Sequence, residues 1–128
     1  MIKNIIDSWK HIPYTFYHYL AFLDLEKELL GYYKYKFHDW DKLFMYIFFP
    51  FLGTKLIKKI HRKINRHHIV DYKNQDKCNY EEAILDWECA RITKPDKPET
   101  ARENAEKPKF KNSKHYPFLI EALDKLRL

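Results

Sequence analysis

Residues 61–68 read HRKINRHH, three histidines and an asparagine within eight positions of a chain that holds seven histidines. At a helical advance of about 100° per residue, His61, Asn65 and His68 point one way and His67 points elsewhere. Such a face is either a polar surface or a set of imidazoles aimed at a cation. His38-Asp39, in FHDWDK, places an imidazole next to a carboxylate at a helix start. Together they can bind one cation, or Asp39 can serve as a helix cap. EEAILDWE sets Glu82 and Asp86 one turn apart, with Asp86 among Ile84, Leu85 and Trp87. A buried carboxylate has to be paired, protonated or metal-bound; a surface ion pair is the alternative. His18, between Tyr17 and Tyr19, is either a hydrogen-bonded core histidine or a ligand. His11 and His115 stand outside the pattern. In chain order the set is His18, His38-Asp39, His61, His67-His68, Asp86. Neutral imidazoles mixed with carboxylates suit a transition metal (Mn, Fe, Co, Ni or Zn) better than Ca or Mg.

The elements that position these residues read as helices. A chain of 128 residues is expected to form one compact domain. Only two glycines are present, and tight hairpin signals are missing. The expectation is an all-α bundle of five to six helices. Residues 1–12 form a short helix ended near Pro13, and 14–30 a second ended by Gly31. Asp39 or Asp41 opens a helix to Phe49, which Pro50 and Gly53 break. A helix over 54–70 follows, with Ile57, Ile60 and Ile64 as its apolar stripe. Residues 71–79 read as a loop, and Asn79 caps a helix to 93. Residues 94–114 hold three of the six prolines and many lysines; they read as an extended segment with one helical turn at 99–106. A last helix, 117–126, starts at Pro117.

The net charge of +6 favours anionic partners: a phosphorylated small molecule, nucleic acid or an anionic surface. Cys78 and Cys89 make no disulfide framework, which suggests a reducing, cytoplasmic setting. The N-terminal stretch lacks the apolar core of a signal peptide. LFMYIFFPFLG, residues 43–53, is too short to span a membrane and contains Pro50, so it is assigned to the core, with no membrane partner.

The order of histidines and carboxylates resembles the HD-domain superfamily of metal-dependent phosphohydrolases. Members carry a His on one helix, a His-Asp pair on the next and a distant Asp later; two-metal members add histidines between. The likeness covers roughly residues 18–87. Lys42 stands three residues after Asp39, where the HD-GYP phosphodiesterases and some others have Lys. HDWDK, HRKINRHH and EAILDWE are also similar to an uncharacterised bacterial and phage family. That family shows His-Asp-x-Ser-Lys, Asn-x-His-His and Glu-x-x-x-Asp-Trp, with Asp41 here in place of the frequent Ser. The Gly-Tyr-Pro signature of HD-GYP enzymes is absent, and the chain is short for an HD enzyme.

The resemblance implies an HD-like hydrolase of a nucleotide or other small phosphate ester, with one or two divalent metals. His18, His38, Asp39 and Asp86 would hold the first; His61 and His68, with His67, the second, bridged by Asp39. Lys42 would neutralise a phosphate oxygen, Glu82 would orient a ligand, and Asn65 would ligate or support one. Arg91 and Lys94, past Asp86, would contact phosphate, or else form a solvated helix end. Two other readings remain open. One is a nucleic-acid-binding or interaction protein that uses the basic helix 54–70; the other is a closed structural metal site without catalysis.

Overall fold

A computed structural model describes residues 1–69 and 72–128. Its helices are α1 (Ile2–Leu30), α2 (Trp40–Phe48), α3 (Thr54–Ile64), α4 (Tyr80–Thr93), α5 (Ala101–Ala105), α6 (Pro108–Lys111) and α7 (Tyr116–Leu126). Among the described residues there is no strand, and short 3-10 turns cover Pro50–Leu52 and Gln75–Lys77. The all-α class holds, with seven helices among the described residues where five to six were expected. No helix among the described residues is long and apolar enough to cross a membrane.

Two short helices lie inside the segment 94–114: α5 falls on the one helical turn expected at 99–106, and α6 stands where extended chain was expected. Thr100 Oγ1 accepts from the Glu103 N–H at 3.1 Å, capping α5, and Pro108 sits in the first turn of α6. Ala101, Ala105 and Phe110 are buried, three apolar anchors dispersed among charges. Glu88 Oε2 accepts from the Ala101 N–H at 2.9 Å, tying the segment to α4.

Pro13 does not end the first helix. A mid-helix proline loses a backbone hydrogen bond and costs about 3 kcal/mol or more. Here α1 runs through it and packs on α2, on α4 and on the Pro50 turn. Ser8, Thr15, His18, Phe22 and Leu25 form one buried line that crosses Pro13 without a phase break. Ser8 Oγ donates to the Pro50 carbonyl at 2.8 Å and anchors the half of α1 before the proline. Gly31 ends α1 in the left-handed region, φ 82°, with its N–H bonded to the Lys27 carbonyl at 2.9 Å.

The apolar core joins Phe22 and Leu25 of α1 to Ala83, Ile84, Leu85 and Cys89 of α4, and to Leu119, Leu123 and Leu126 of α7. The run at 43–53 is not core, as had been expected: Tyr46 and Pro50 are buried, but Phe44, Ile47, Phe48, Phe49 and Phe51 are exposed. α2 turns its inner face to polar groups and leaves its apolar residues outside. Helix α3 is also shorter than the expected 54–70. It ends at Ile64, and Asn65 is extended (φ −97°, ψ 122°). Positions 70 and 71, where that helix was to end and the next loop to begin, lie outside the described residues.

Candidate metal centre

Four parts of the chain converge on one buried polar cluster. α1 supplies His18, one turn before Phe22. The 31–39 connection supplies His38 and Asp39, and α3 supplies His61 from its last turn. His67 and His68 follow the end of α3. α4 supplies Glu82 and Asp86, and its start is fixed by Asn79 Oδ1, which accepts from the Glu82 N–H at 3.1 Å. Asp39 occupies the N-cap position of α2 at φ 59°, ψ 13°, yet its side chain makes no capping bond. A non-glycine residue pays roughly 1–2 kcal/mol for that conformation. What the turn achieves is to aim the carboxylate into the cluster.

Three imidazoles share one arrangement. His18 Nδ1 lies 3.1 Å from Thr93 Oγ1, and its Nε2 is 2.9 Å from Asp86 Oδ1. His38 Nδ1 lies 3.0 Å from Glu82 Oε1, and its Nε2 is 3.0 Å from Asp86 Oδ1 and 3.6 Å from Asp39 Oδ1. His61 Nδ1 lies 2.8 Å from Asp41 Oδ2, and its Nε2 is 3.1 Å from Asp39 Oδ1. Each ring is held from outside through Nδ1 and presents Nε2 to the carboxylates at the centre. An outer hydrogen bond of this kind is how metal-ligating histidines are oriented.

Hydrogen bonding alone does not satisfy the centre. Asp39 Oδ1, His61 Nε2, both nitrogens of His67 and His68 Nε2 are buried without a hydrogen-bond partner. His67 Nε2 is 3.4 Å from Asp39 Oδ1, and its Nδ1 is 3.5 Å from Glu82 Oε1, in each case without hydrogen-bond alignment. Ligand atoms about 2.1 Å from one cation lie ~3.0 Å apart on an octahedral edge and ~3.4 Å apart on a tetrahedral one. The observed spacings fall on that scale. Three groups have ligand atoms mutually within 4.8 Å and could hold a metal ion: His18, His38, Asp39 and Asp86; His61, His67 and His68; and His38, His67 and Glu82. Asp39 Oδ1 stands between the first two groups.

Charge reinforces the arrangement. Burial works to raise the Asp39 carboxyl, but the neighbouring His38 and Lys42 hold it well below the usual carboxylate range. Asp86 is also held low: burial opposes, and hydrogen bonds from His18 and His38 prevail. Burial disfavours a charged His38, yet the charge of Asp39 and the bonds to Asp86 and Glu82 raise it to about 10. His67, similarly buried, is raised to about 9 by Asp39 and Glu82. Burial and the nearby charge of His67 push His68 down to about 3. Protons on His38 and His67 thus act as the cations of the metal-free site, and a divalent ion would take their place.

The structure brings His18, His38, Asp39, His61, His68 and Asp86 into one cluster. It differs over His67, which is buried at 1 % exposure rather than turned aside. Helical phase holds only within a helix, and α3 stops at Ile64, before His67, rather than running to residue 70. Asn65 Nδ2 lies 3.1 Å from His61 Nδ1, and Glu82 contacts His38 and His67. Lys42 Nζ donates to Asp39 Oδ2 at 2.7 Å. Lys94 lines the cleft, with its Nζ 5.4 Å from the Tyr14 ring centroid. Arg91 instead bonds Glu88 and does not line the cleft. Sequence reasoning missed Asp41 and Thr93. Asp41 lies two residues from Asp39, and Thr93 two turns after Asp86 on the same face of α4; both positions are readable once the inward face is known.

A cleft of about 650 Å³ opens onto the cluster, lined in part by Tyr14, Lys42, Lys58, Trp87, Lys94 and Lys97. No protein-family profile matches this chain, and neither a curated protein nor a solved structure matches it.

Proposed function

We propose that this chain is an HD-domain-like, metal-dependent phosphohydrolase that acts on a nucleotide or another small phosphate ester. The observation that supports this most is the set of buried, unpartnered nitrogens around Asp39 Oδ1, at the spacing of ligands to a common cation and open to a lysine-lined cleft. His18, His38, Asp39 and Asp86 would hold one ion, and His61, His67 and His68 a second, with Asp39 between them. The donor set fits Mn, Fe, Co, Ni or Zn. When bound, such an ion supplies Lewis acidity and lowers the pKa of a water from about 16 toward about 7.

The chain's own residues supply the rest. Thr93, Glu82 and Asp41 fix the ring orientations of His18, His38 and His61. Burial works to discharge the Lys42 ammonium, but Asp39 keeps it charged above its ordinary value. Lys42 lies at the inner wall of the cleft, where it would neutralise a phosphate oxygen next to the cluster. Burial of His38, His61 and His67 keeps bulk water from competing for their nitrogens.

The test is elemental analysis of protein purified without an affinity tag, followed by assay of a nucleotide panel and an aryl phosphate with each of the five metals. The expected result is bound transition metal and hydrolysis of at least one ester, lost in Asp86→Asn. Metal-free protein that hydrolyses nothing with any metal overturns the proposal.

A further inference from the structure

The cleft holds more positive charge than the cluster uses. Lys42 is paired with Asp39, and Lys107 at the rim with Glu99 at 3.6 Å. Lys58, Arg62, Lys94 and Lys97 line the same cleft and, among the described residues, have no carboxylate within ion-pair distance. They come from two elements, α3 and the segment after α4, so a single helix face does not account for them. Burial and then Lys42 and Arg62 push the Lys58 ammonium below its ordinary value. Burial and then Lys97 and Lys42 do the same to Lys94. Like charges held together without counter-charge are stabilised by an anion that sits among them. Four acidic residues line the cleft as well: Asp39 is paired with Lys42, Asp86 with His18 and His38, and Glu99 with Lys107, which leaves Asp96 beside these four cations.

We propose that Lys58, Lys94 and Lys97 form a second anion subsite at the mouth of the cleft, and that the ligand is an organic polyphosphate, a phosphate ester with at least one further phosphate group. This rests on the phosphohydrolase reading for which end of the ligand reacts. One phosphate is served by Lys42 and the cluster, and the unpaired cations further out are left for another. A volume of about 650 Å³ suits one drug-sized ligand. A bounded cleft of this kind favours a small polyphosphate over a nucleic-acid backbone, which would track an open basic stripe.

AMP and ATP are the probes, in equilibrium dialysis at physiological salt with chelator-treated protein, so that neither is hydrolysed during the measurement. ATP should bind at least tenfold tighter than AMP, because the discriminating charges are side chains. Lys58→Gln with Lys97→Gln should reduce that preference to threefold or less; both residues are exposed, and circular dichroism confirms the fold. Equal binding of AMP and ATP, a preference that survives the double substitution, or tighter binding of a single-stranded oligonucleotide than of ATP would each overturn the subsite. The two proposals fail separately. ATP preference without hydrolysis of any ester removes the catalytic reading alone, and monophosphate hydrolysis without ATP preference removes the subsite alone.

The outer face of α2 shows an independent feature. Phe37, Trp40, Phe44, Ile47, Phe48 and Phe51 are exposed, Phe37 by 66 % and Phe48 by 62 %. Trp40, Phe44, Ile47 and Phe48 recur at the spacing of one face of α2, and two ring pairs lie along it: Phe37 to Trp40 is 5.7 Å between centroids, and Phe44 to Phe48 is 4.8 Å. The charged residues of this stretch, Asp39, Asp41 and Lys42, all turn to the cluster. The six side chains expose on the order of 700 Å², more than the ~300–600 Å² of the largest patch on an ordinary monomer and close to the ~800 Å² each partner buries in a stable complex.

We infer that this strip packs against the same strip of a second copy. Lys36, with its Nζ 5.5 Å from the Phe37 ring centroid, puts a cation at one end of the strip only; a two-fold axis pairs such a mainly apolar surface with itself, whereas a membrane-binding face needs cations along its length. Sedimentation at several concentrations should give a dimer for the wild type and a monomer for Phe48→Glu or Phe37→Glu, with unchanged circular dichroism. A wild-type monomer at all concentrations, whether or not it binds vesicles with a third of anionic lipid, overturns the inference, as does a dimer that both substitutions leave intact.

Discussion

Removing divalent metal is expected to cost this protein several kcal/mol, with Asp39 as the residue on which the difference depends. Five buried polar atoms at the cluster have no hydrogen-bond partner: Asp39 Oδ1, His61 Nε2, His67 Nδ1, His67 Nε2 and His68 Nε2. An orphaned buried polar group costs about 1–3 kcal/mol. Asp39 Oδ1 still lies 3.1 Å from His61 Nε2 and 3.4 Å from His67 Nε2, so the five penalties do not add in full, and the scale is a few kcal/mol. Protons on His38 and His67 offset part of this in the metal-free form. Mass action gives an independent floor: an ion at a hundredfold excess over its Kd stabilises by about 2.7 kcal/mol. For a chain of 128 residues, 1 kcal/mol moves Tm by roughly 3–5 °C, so the shift should be about 8–14 °C. The assay is thermal melting of untagged protein with a chelator and with each candidate metal. Asp39→Asn also loses the ion pair with Lys42, so its metal-free baseline falls; its metal-induced shift should be close to zero. Superimposable wild-type melts would refute the reasoning outright. A full shift retained in Asp39→Asn would mean the ion sits elsewhere.

Asp41→Ala removes the carboxylate from His61 Nδ1, leaving only Asn65 beside it, and should weaken metal binding by about 10–100-fold, read by competition with a chromogenic chelator; unchanged affinity would show that Asp41 is idle. Asp39→Gly should be more stable than Asp39→Ala by about 1 kcal/mol in urea unfolding, because φ is 59° there; equal stabilities would remove the backbone-strain account. His38 and His67 are raised to about 10 and about 9, so they favour the metal-free fold below about pH 6.5, and that contribution is lost as pH rises through 9–10. Metal must displace those protons, so affinity should rise with pH between 6 and 9, by up to about tenfold per unit for each proton released; a flat profile contradicts the assignment. Lys42→Ala should keep its metal and lose on the order of a hundredfold in hydrolysis rate; full activity would reduce Lys42 to the counter-ion of Asp39.

Much of the fold was legible because helical periodicity and caps act locally. Asn79 caps α4 and Gly31 closes α1 where their residue types indicate. Tertiary packing overrode local rules in three places. Pro13 looked like a terminator, but the line Ser8, Thr15, His18 and Phe22 is buried on both sides of it, and that burial outweighs one lost hydrogen bond. Residues 94–114 looked extended apart from one turn at 99–106 because charges dominate their composition; α5 is that turn, and the buried Phe110 docks a second short helix, α6, that charge composition hid. The run 43–53 looked like core because it is apolar. Hydrophobicity cannot say which side of a helix is inward when the inward side belongs to Asp39, Lys42 and Tyr46.

The cluster was legible by residue type and less so by phase. His18, His38, Asp39 and Asp86 are far apart in sequence, and what linked them was their chemistry taken in chain order. His67 was misjudged because helical phase is valid only as far as the helix extends. Nothing in HRKINRHH marks its end: Asn65 is a mild breaker, and neither Gly nor Pro follows. The departure of the chain at Asn65 is what lets His67 and His68 enter the cluster together. On an unbroken helix, neighbouring residues point about 100° apart and could not both reach the same small volume. Here the His67 and His68 rings lie 4.3 Å apart, and His68 lies 4.7 Å from His61. A helix end at Asn65 therefore delivers a third imidazole where a continued helix would deliver two. Substituting Asn65 by a strong helix former such as Ala should draw His67 out of the cluster and weaken binding at the His61, His67 and His68 group first.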